Sequence, residues 1–262
     1  METSQAEHTT NRIQSVLKAL DVLECLADAE RPLSVREVAQ QCGFSRPTTY
    51  RLLATLLSRD YVQNIDDGHY HIGTRVLTLG KSFLDRLDIP EIARKDIQSL
   101  SHLARETVHL SVLDGTEILY VDKAQVQQSV QMYCTIGTRN PLYNTSMGKA
   151  ILAFLLPEKR DALLDRIALT RCTPNTITNR EELIEHLQMV RERGYAIDDM
   201  ENEEGIRCLG APILDYSGEV IGALSVSGPA HRLPDARIAD LAEPVMQTAR
   251  TISSKLGYTS IR

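Results

Sequence analysis

Between Ser45 and Arg59 the chain carries three arginines and no acid, beginning Ser45-Arg46-Pro47-Thr48-Thr49-Tyr50-Arg51. Hydroxyl and guanidinium groups gathered in the first turns of a short helix suit DNA contact. An arginine fork matches O6 and N7 of guanine together, a pairing worth roughly 1–3 kcal/mol of discrimination. Threonine meets phosphate oxygens or a thymine methyl. Ser45, Arg46, Thr48 and Thr49, with Pro47 among them, open the helix and are expected to reach base edges first. Arg51 and Arg59 are better placed for backbone phosphates, which hold register without reading sequence. His69 and His71 are placed to approach the flanking minor groove.

A second group lies in the C-terminal half. Ser225 and Ser227 stand two apart, so on a strand both hydroxyls face one side. Ser146-Met147-Gly148 precedes an apolar helical run, where the first backbone N–H groups and the local dipole favour an anion. Asp198 and Cys208 are expected to border the same cavity. There Asp198 accepts hydrogen bonds from a hydroxyl-rich ligand and the serines donate. The set suits a small organic acid. With no Trp and three Phe in the chain, aromatic lining is scarce, which favours a sugar acid or a keto or hydroxy acid over an aromatic one. Lys149 beside Gly148 lacks the full Gly-x4-Gly-Lys-Ser/Thr phosphate pattern and reads as structural or surface.

The elements that must hold these residues are legible from spacing and caps. Residues 1–10 are polar and expected to be disordered. Val16, Leu17, Leu20, Leu23 and Leu26 give a helix with one buried stripe, and Arg31-Pro32 closes that region. Ser34 and Glu37 form a capping box, and Gly43 suits a left-handed turn. Ser45 is an N-cap for the next helix, with Pro47 in its first turn and Tyr50, Leu53 and Leu57 on its buried side. Two short strands flank Asp66-Asp67-Gly68, a turn signal. Three helices and this hairpin make a winged helix-turn-helix over residues 11–73. A linker helix follows over 74–89, with Val76, Leu77, Phe83, Leu84 and Leu87 on its apolar side and Ile89-Pro90 stopping it.

The remainder, 90–258, alternates helices and strands and reads as a mixed α+β domain, helices flanking an antiparallel sheet. Helices are expected over 91–106, 147–155, from a Thr178/Glu181 cap to Arg193 with Gly194 ending it, and over 236–256, where Pro244 should kink or split the last. Strands are expected over 108–113, 118–122, 129–134, 195–197, 209–214 and 220–227.

Composition excludes several classes. A hydrophobic share of 42% and a charged share of 24% are ordinary for a globular protein. Five cysteines, at 25, 42, 134, 172 and 208, show no paired close spacing, so neither a disulfide framework nor a zinc site is expected, and no other cofactor is indicated. No secretory leader or membrane span is expected, and the reducing cytoplasm fits best. Net charge is −6, and residues 1–75 carry eight Lys/Arg against ten Asp/Glu. DNA contact must therefore rest on the local charge of the 45–59 segment rather than on a bulk positive field. Two other readings stay open. Cys208 with Asp198 and hydroxyls can be imagined as a thiol-dependent enzyme, although no histidine lies in the neighbouring motifs. Cys25, Cys42 or Cys208 can be imagined as a redox sensor, although helical spacing places Cys25 and Cys42 in the core.

The whole chain, over about residues 11–257, resembles the IclR family of bacterial transcription regulators. The resemblance is carried by the segment from Ser15 to Leu23, by Ser45 to Leu53, by Asn144-Thr145-Ser146-Met147-Gly148-Lys149, by Gly194 to Asp199, by Glu204 to Pro212 and by Ala223 to Pro229, in order. It implies a winged helix domain, a linker helix and a GAF-like effector-binding domain. It implies a homodimer or dimer of dimers on a double-stranded operator, regulating, most simply repressing, a catabolic operon in answer to a small organic acid. It places the effector pocket on Ser146, Met147, Asp198, Cys208, Ser225 and Ser227. Ser146 and Met147 stand at backbone-donor positions where some relatives have glycine or alanine. The linker helix is the expected transmitter between effector and DNA.

Overall fold

In the computed structural model, which describes residues 12–65, 68–84, 88–125 and 135–259, Ser34 and Glu37 start a helix as their spacing predicts. The Ser34 hydroxyl accepts from the Glu37 backbone N–H, and the Glu37 carboxylate accepts from the Ser34 N–H. The chain divides into two compact units, Met1–Leu87 and Asp88–Arg262. The predicted disordered segment 1–10 and the predicted strand 129–134 lie outside the described residues, as do Asp66 and Asp67 of the predicted turn.

The first unit runs α1 (Gln14–Ala27), β1 (Leu33–Ser34), α2 (Val35–Cys42), α3 (Arg46–Leu57), β2 (Val62–Ile65), β3 (His69–Ile72) and α4 (Thr74–Leu84). Gly43 closes α2 at φ 69°, a left-handed conformation that glycine enters without strain. The strands form an antiparallel sheet in the order β1-β3-β2, so β2 and β3 make the wing. Val22, Leu26, Val38, Leu53, Leu56, Val62 and Tyr70 form the core.

Two helical faces differ from expectation. On α1, Leu26 is buried and Leu23 packs against the core as expected, but Val16 and Leu20 are exposed, and Val22 takes a core place outside the predicted stripe. On α3 the buried residues are Thr49, Leu53 and Leu56, while Tyr50 and Leu57 are exposed. A helix with apolar residues at 50, 52, 53, 56 and 57 admits either phase by periodicity alone. Packing against α1 and α2 selects the phase that seats Leu53 and Leu56 together. Val76 and Leu77, on the expected apolar side of α4, are exposed. Phe83, Leu84 and Leu87 fall outside the described side chains.

The second unit contains α5 (Ile89–Ala104), β4 (Thr107–Asp114), β5 (Glu117–Ala124), β6 (Arg139–Pro141), α6 (Ser146–Phe154), α7 (Pro157–Leu164), α8 (Arg180–Arg193), β7 (Ala196–Asp199), β8 (Ile206–Leu214), β9 (Val220–Pro229) and α9 (Asp235–Lys255). Its sheet has the order β6-β5-β4-β9-β8-β7, every neighbouring pair antiparallel. Helices α5 and α9 pack together against the sheet, α9 on β8 and α5 on β4. Alternation sends Leu209, Ala211 and Ile213 to that side and Cys208 and Gly210 to the other, where α6 lies with α8 behind it.

Local chemistry explains the departures here. Asn179, not Thr178, caps α8: its side chain accepts from the Glu182 N–H at 2.9 Å. Gly194 ends α8 at φ 85°, as expected. Pro90 does not stop a helix but sits in the first turn of α5, where a missing N–H is harmless. Pro244 does not break α9. Leu241, Ala242, Val245 and Ala249 are buried on either side of it, so packing holds both halves in line.

Candidate DNA-reading helix and effector site

Helix α3 presents Arg46, Pro47, Tyr50, Arg51 and Ala54 to solvent, with Ser45 exposed just ahead of it and Arg59 just beyond. Ser45 occupies the cap position without capping: its hydroxyl pairs with that of Thr48 at 2.9 Å and makes no bond to the first-turn backbone. The leading N–H groups of α3 are therefore left for a phosphate oxygen. Thr49 corrects the sequence reading. It is fully buried, its hydroxyl donated to the Ser45 carbonyl at 3.1 Å, and it cannot reach a base. Thr48 is half-buried at the margin of the outward face. Tyr50, read as core, joins that face instead. The signal for it was the same periodicity, taken in the wrong phase. Tyr50→Ala should weaken DNA binding by about tenfold, the scale of one lost contact, without lowering the melting temperature; filter binding beside a thermal melt checks both.

The second candidate site is built by strand register. Asp198 of β7 faces Cys208 of β8, which faces Ser227 of β9. One step along, Gly210 faces Ser225, which faces His109 of β4. Directly opposed residues share a face, so these side chains line the side covered by α6. Helix α6 comes down on Gly210, where an added Cβ would lie 2.9 Å from the Ser146 carbonyl carbon and 3.1 Å from the Met147 nitrogen. At the cap, the Thr145 hydroxyl accepts from Gly148 N–H at 3.1 Å and donates to the Pro141 carbonyl at 2.8 Å. The Ser146 and Met147 N–H groups precede the first intrahelical bond and remain donors. Gly210→Ala should lift α6 from β8 and destabilise the protein by about 1–3 kcal/mol, the usual range for overpacking; denaturant titration measures it.

The predicted residues Ser146, Met147, Asp198, Ser225 and Ser227 are all buried, and Cys208 is half-buried. Ser225 and Ser227 hydroxyls lie 3.3 Å apart, and Ser227 Oγ is 3.3 Å from His109 Nδ1. Asp198 accepts from the N–H groups of Glu201 at 2.8 Å and Asn202 at 3.3 Å. Burial nevertheless pushes its carboxyl up to about 7, against the opposing pull of the Glu201 N–H. The Cys208 thiol is pushed well above its ordinary value, by burial first and then by Asp198. A thiol held protonated is a poor nucleophile.

Three further residues belong to this neighbourhood. Lys149 is not at the surface: it is fully buried, ion-paired with Glu201, its Nζ 3.4 Å from His186 Nε2. Glu201 in turn donates its backbone N–H to Asp198, so a buried cation stands behind the effector-site carboxylate. His109 lies 118 residues from Ser227 in sequence and is joined to it only by the β4–β9 ladder, which no local motif announces. Cys25 and Cys42, expected in the core, are half-buried, and burial followed by the neighbouring Cys25 pushes Cys42 up to about 12. Among the described residues, no cluster of three or more His, Cys, Asp or Glu is arranged to hold a metal, and no helix is long and apolar enough to cross a membrane.

Two family models match the chain: the IclR helix-turn-helix domain over residues 15–66 and the bacterial transcriptional regulator IclR C-terminal domain over residues 81–254. The chain is 35% identical over 259 residues to the HTH-type transcriptional regulator KdgR of Escherichia coli (strain K12), covering 98% of each chain. It is 34% identical over 256 residues to the transcriptional repressor IclR of the same organism, covering 97% of this chain and 93% of that one. Among solved structures, the Agrobacterium tumefaciens repressor BlcR aligns with a TM-score of 0.80 at 29% identity, covering 96% of this chain and 100% of that one.

Proposed function

The chain belongs to the IclR family of bacterial transcriptional regulators, and from that premise we propose that it represses a catabolic operon until a small polar organic acid releases it. It is a DNA-binding regulator and not an enzyme. Its proposed place of work is the cytoplasm, where the DNA is. Base reading is assigned to Arg46 with Ser45, Pro47 and Thr48, and phosphate contact to Arg51 and Arg59.

One observation carries the effector assignment. The sheet face under α6 is buried yet polar, and not all of its polar atoms are satisfied. His109 Nε2 and Glu201 Oε2 lack partners among the described residues. An unpaired buried polar group costs about 1–3 kcal/mol, so a native fold that keeps several has a use for them. A polar acid would seat its carboxylate on the Ser146 and Met147 N–H groups and its hydroxyl or keto oxygen among Asp198, Cys208, Ser225 and Ser227. Ser225→Val should abolish acid-induced stabilisation, which thermal shift reads directly. An unchanged shift in that variant overturns the assignment.

The Asp198 carboxyl makes binding pH-dependent. Its folded pKa lies above the ordinary carboxylate value of about 3.9, so the folded state holds the proton more tightly than the unfolded one. The stability this confers is full below the ordinary value and is lost as pH rises toward 7. An anionic effector prefers the neutral carboxyl for the same reason. Affinity should fall above pH 7, by at most about tenfold per unit, and the fall should flatten in Asp198→Asn; calorimetric titration between about pH 6 and 8 checks it.

We assign a homodimer contact to the outward apolar face of the first unit. Ile13 just ahead of α1, Val16 and Leu20 of α1 and Val76, Leu77 and Leu79 of α4 are exposed, and α1, α3 and α4 border an apolar groove of about 980 Å³. Exposed patches of this kind mark interfaces, and a two-fold dimer gives two recognition helices for a palindromic operator.

A further inference from the structure

The effector reading gives one of its buried groups no ligand atom to pair with. His109 is 2% exposed; its Nδ1 faces the Ser227 hydroxyl, and its Nε2 has no hydrogen-bond partner among the described residues. The ring meets Tyr120 edge-on, centroids 5.3 Å apart, a contact that supplies at most a weak N–H···π interaction. His109 is in register with Ser225, and Ser225 with Gly210, the residue beneath the first turn of α6. The three stand on one line across β4, β9 and β8. Successive strands are about 4.8 Å apart, so this line spans roughly 10 Å between the anion-donor end and His109.

We propose that His109 is the far wall of the effector cavity and a specificity-determining residue, selecting an acid of about five or six carbons that bears a hydroxyl at the end remote from its carboxylate. This rests on the effector site proposed above and narrows it to polyhydroxylated acids. A two- or three-carbon acid held on the Ser146 and Met147 N–H groups ends over β9 and leaves the imidazole unpaired. A longer chain reaches it. The matching group is a hydroxyl because it both donates and accepts, and so satisfies Nε2 in either tautomer. A second carboxylate only accepts. Burial, and after it the nearby Lys123, push His109 down to about 4, so the ring is neutral at pH 7 and offers a second carboxylate no charge of its own. Lys123 stands opposite His109 in register on β5.

The test is calorimetric titration of the full chain with D-gluconate and D-galactonate, with D-glycerate and glycolate, and with glutarate. The six-carbon hydroxy acids are expected to bind at least tenfold more tightly than glycerate. His109→Phe, which keeps the ring volume without nitrogen, should erase that advantage by weakening the six-carbon acids at least tenfold more than glycerate; His109→Asn, which keeps a donor and an acceptor, should retain part of it. Equal losses for long and short acids in His109→Phe, no loss for either, or tightest binding by glutarate overturns the proposal. If His109→Phe does not fold, the wild type decides, and equal affinity for glycerate and the six-carbon acids overturns it. If acids bind and Ser225→Val abolishes binding while His109 is indifferent, only this inference fails. If no acid of any set binds the wild type, the effector site itself is wrong and the inference goes with it.

Discussion

Arg46→Ala should reduce preference for the operator over an unrelated duplex by about 10–100-fold per half-site, the range of one bidentate arginine–guanine pair. Arg46 opens α3, is exposed, and has Ser45 and Pro47 exposed beside it. Nothing in the core leans on it, so the variant should melt with the wild type. Arg51→Ala should behave differently. Loss of a phosphate contact weakens all sequences alike and lowers the salt dependence of binding by about one counterion. Anisotropy titrations against the operator and a scrambled duplex, at two salt concentrations, separate the two behaviours. Equal losses on both duplexes for Arg46→Ala would reassign it to the backbone.

If the apolar face of α1 and α4 is the proposed dimer contact, Leu20→Glu and Leu77→Glu should each dissociate it. Both residues are exposed in the isolated chain, Leu77 at 75% of its surface, so a charge there leaves the monomer's core intact. Burial of a leucine in an interface is worth about 1.5–3 kcal/mol, and a glutamate in its place adds an unpaired charge to be desolvated. In the proposed two-fold contact each substitution acts twice. A monomer holds one half-site, and operator affinity should fall on the order of a thousandfold, within the span between specific and non-specific binding. Sedimentation and operator titration measure the two consequences. A variant that remains dimeric with full operator affinity removes α1 and α4 from the interface.

What the sequence conveys follows the range of the interactions involved. The capping box at Ser34, the left-handed glycines at 43 and 194 and the antiparallel α+β organisation were legible because each rests on local chemistry or alternation. The exposure of Val16 and Leu20 on α1 and the phase of α3 were misread because each helix carries apolar residues on two sides. Spacing cannot tell which side the subunit's own core takes. Thr49 went to the wrong side for that reason, and Tyr50 with it. At the proposed effector site, Asp198, Cys208, Ser225 and Ser227 belong to motifs close to one another in the chain, and register brings them together. His109 was invisible. It reaches Ser227, 118 residues away, through the pairing of β4 with β9, and a lone histidine in an apolar run has no pattern of its own. Lys149, read as structural or surface, is structural, and its partner Glu201 is reached through the fold.

The central claim is that the polar face beneath α6 holds a small acid whose binding sets operator affinity. An effector shifts that affinity only by the difference with which it binds the DNA-competent and DNA-incompetent states. The direct measurement is anisotropy of a labelled operator, selected by the protein from random duplex, titrated with protein in the presence and absence of six-carbon hydroxy acids, for the wild type and for Ser225→Val. The acid should weaken operator binding by the wild type at least fivefold and leave Ser225→Val unmoved, with both proteins binding the operator equally when no acid is present. An acid effect of the same size in both proteins would contradict the account.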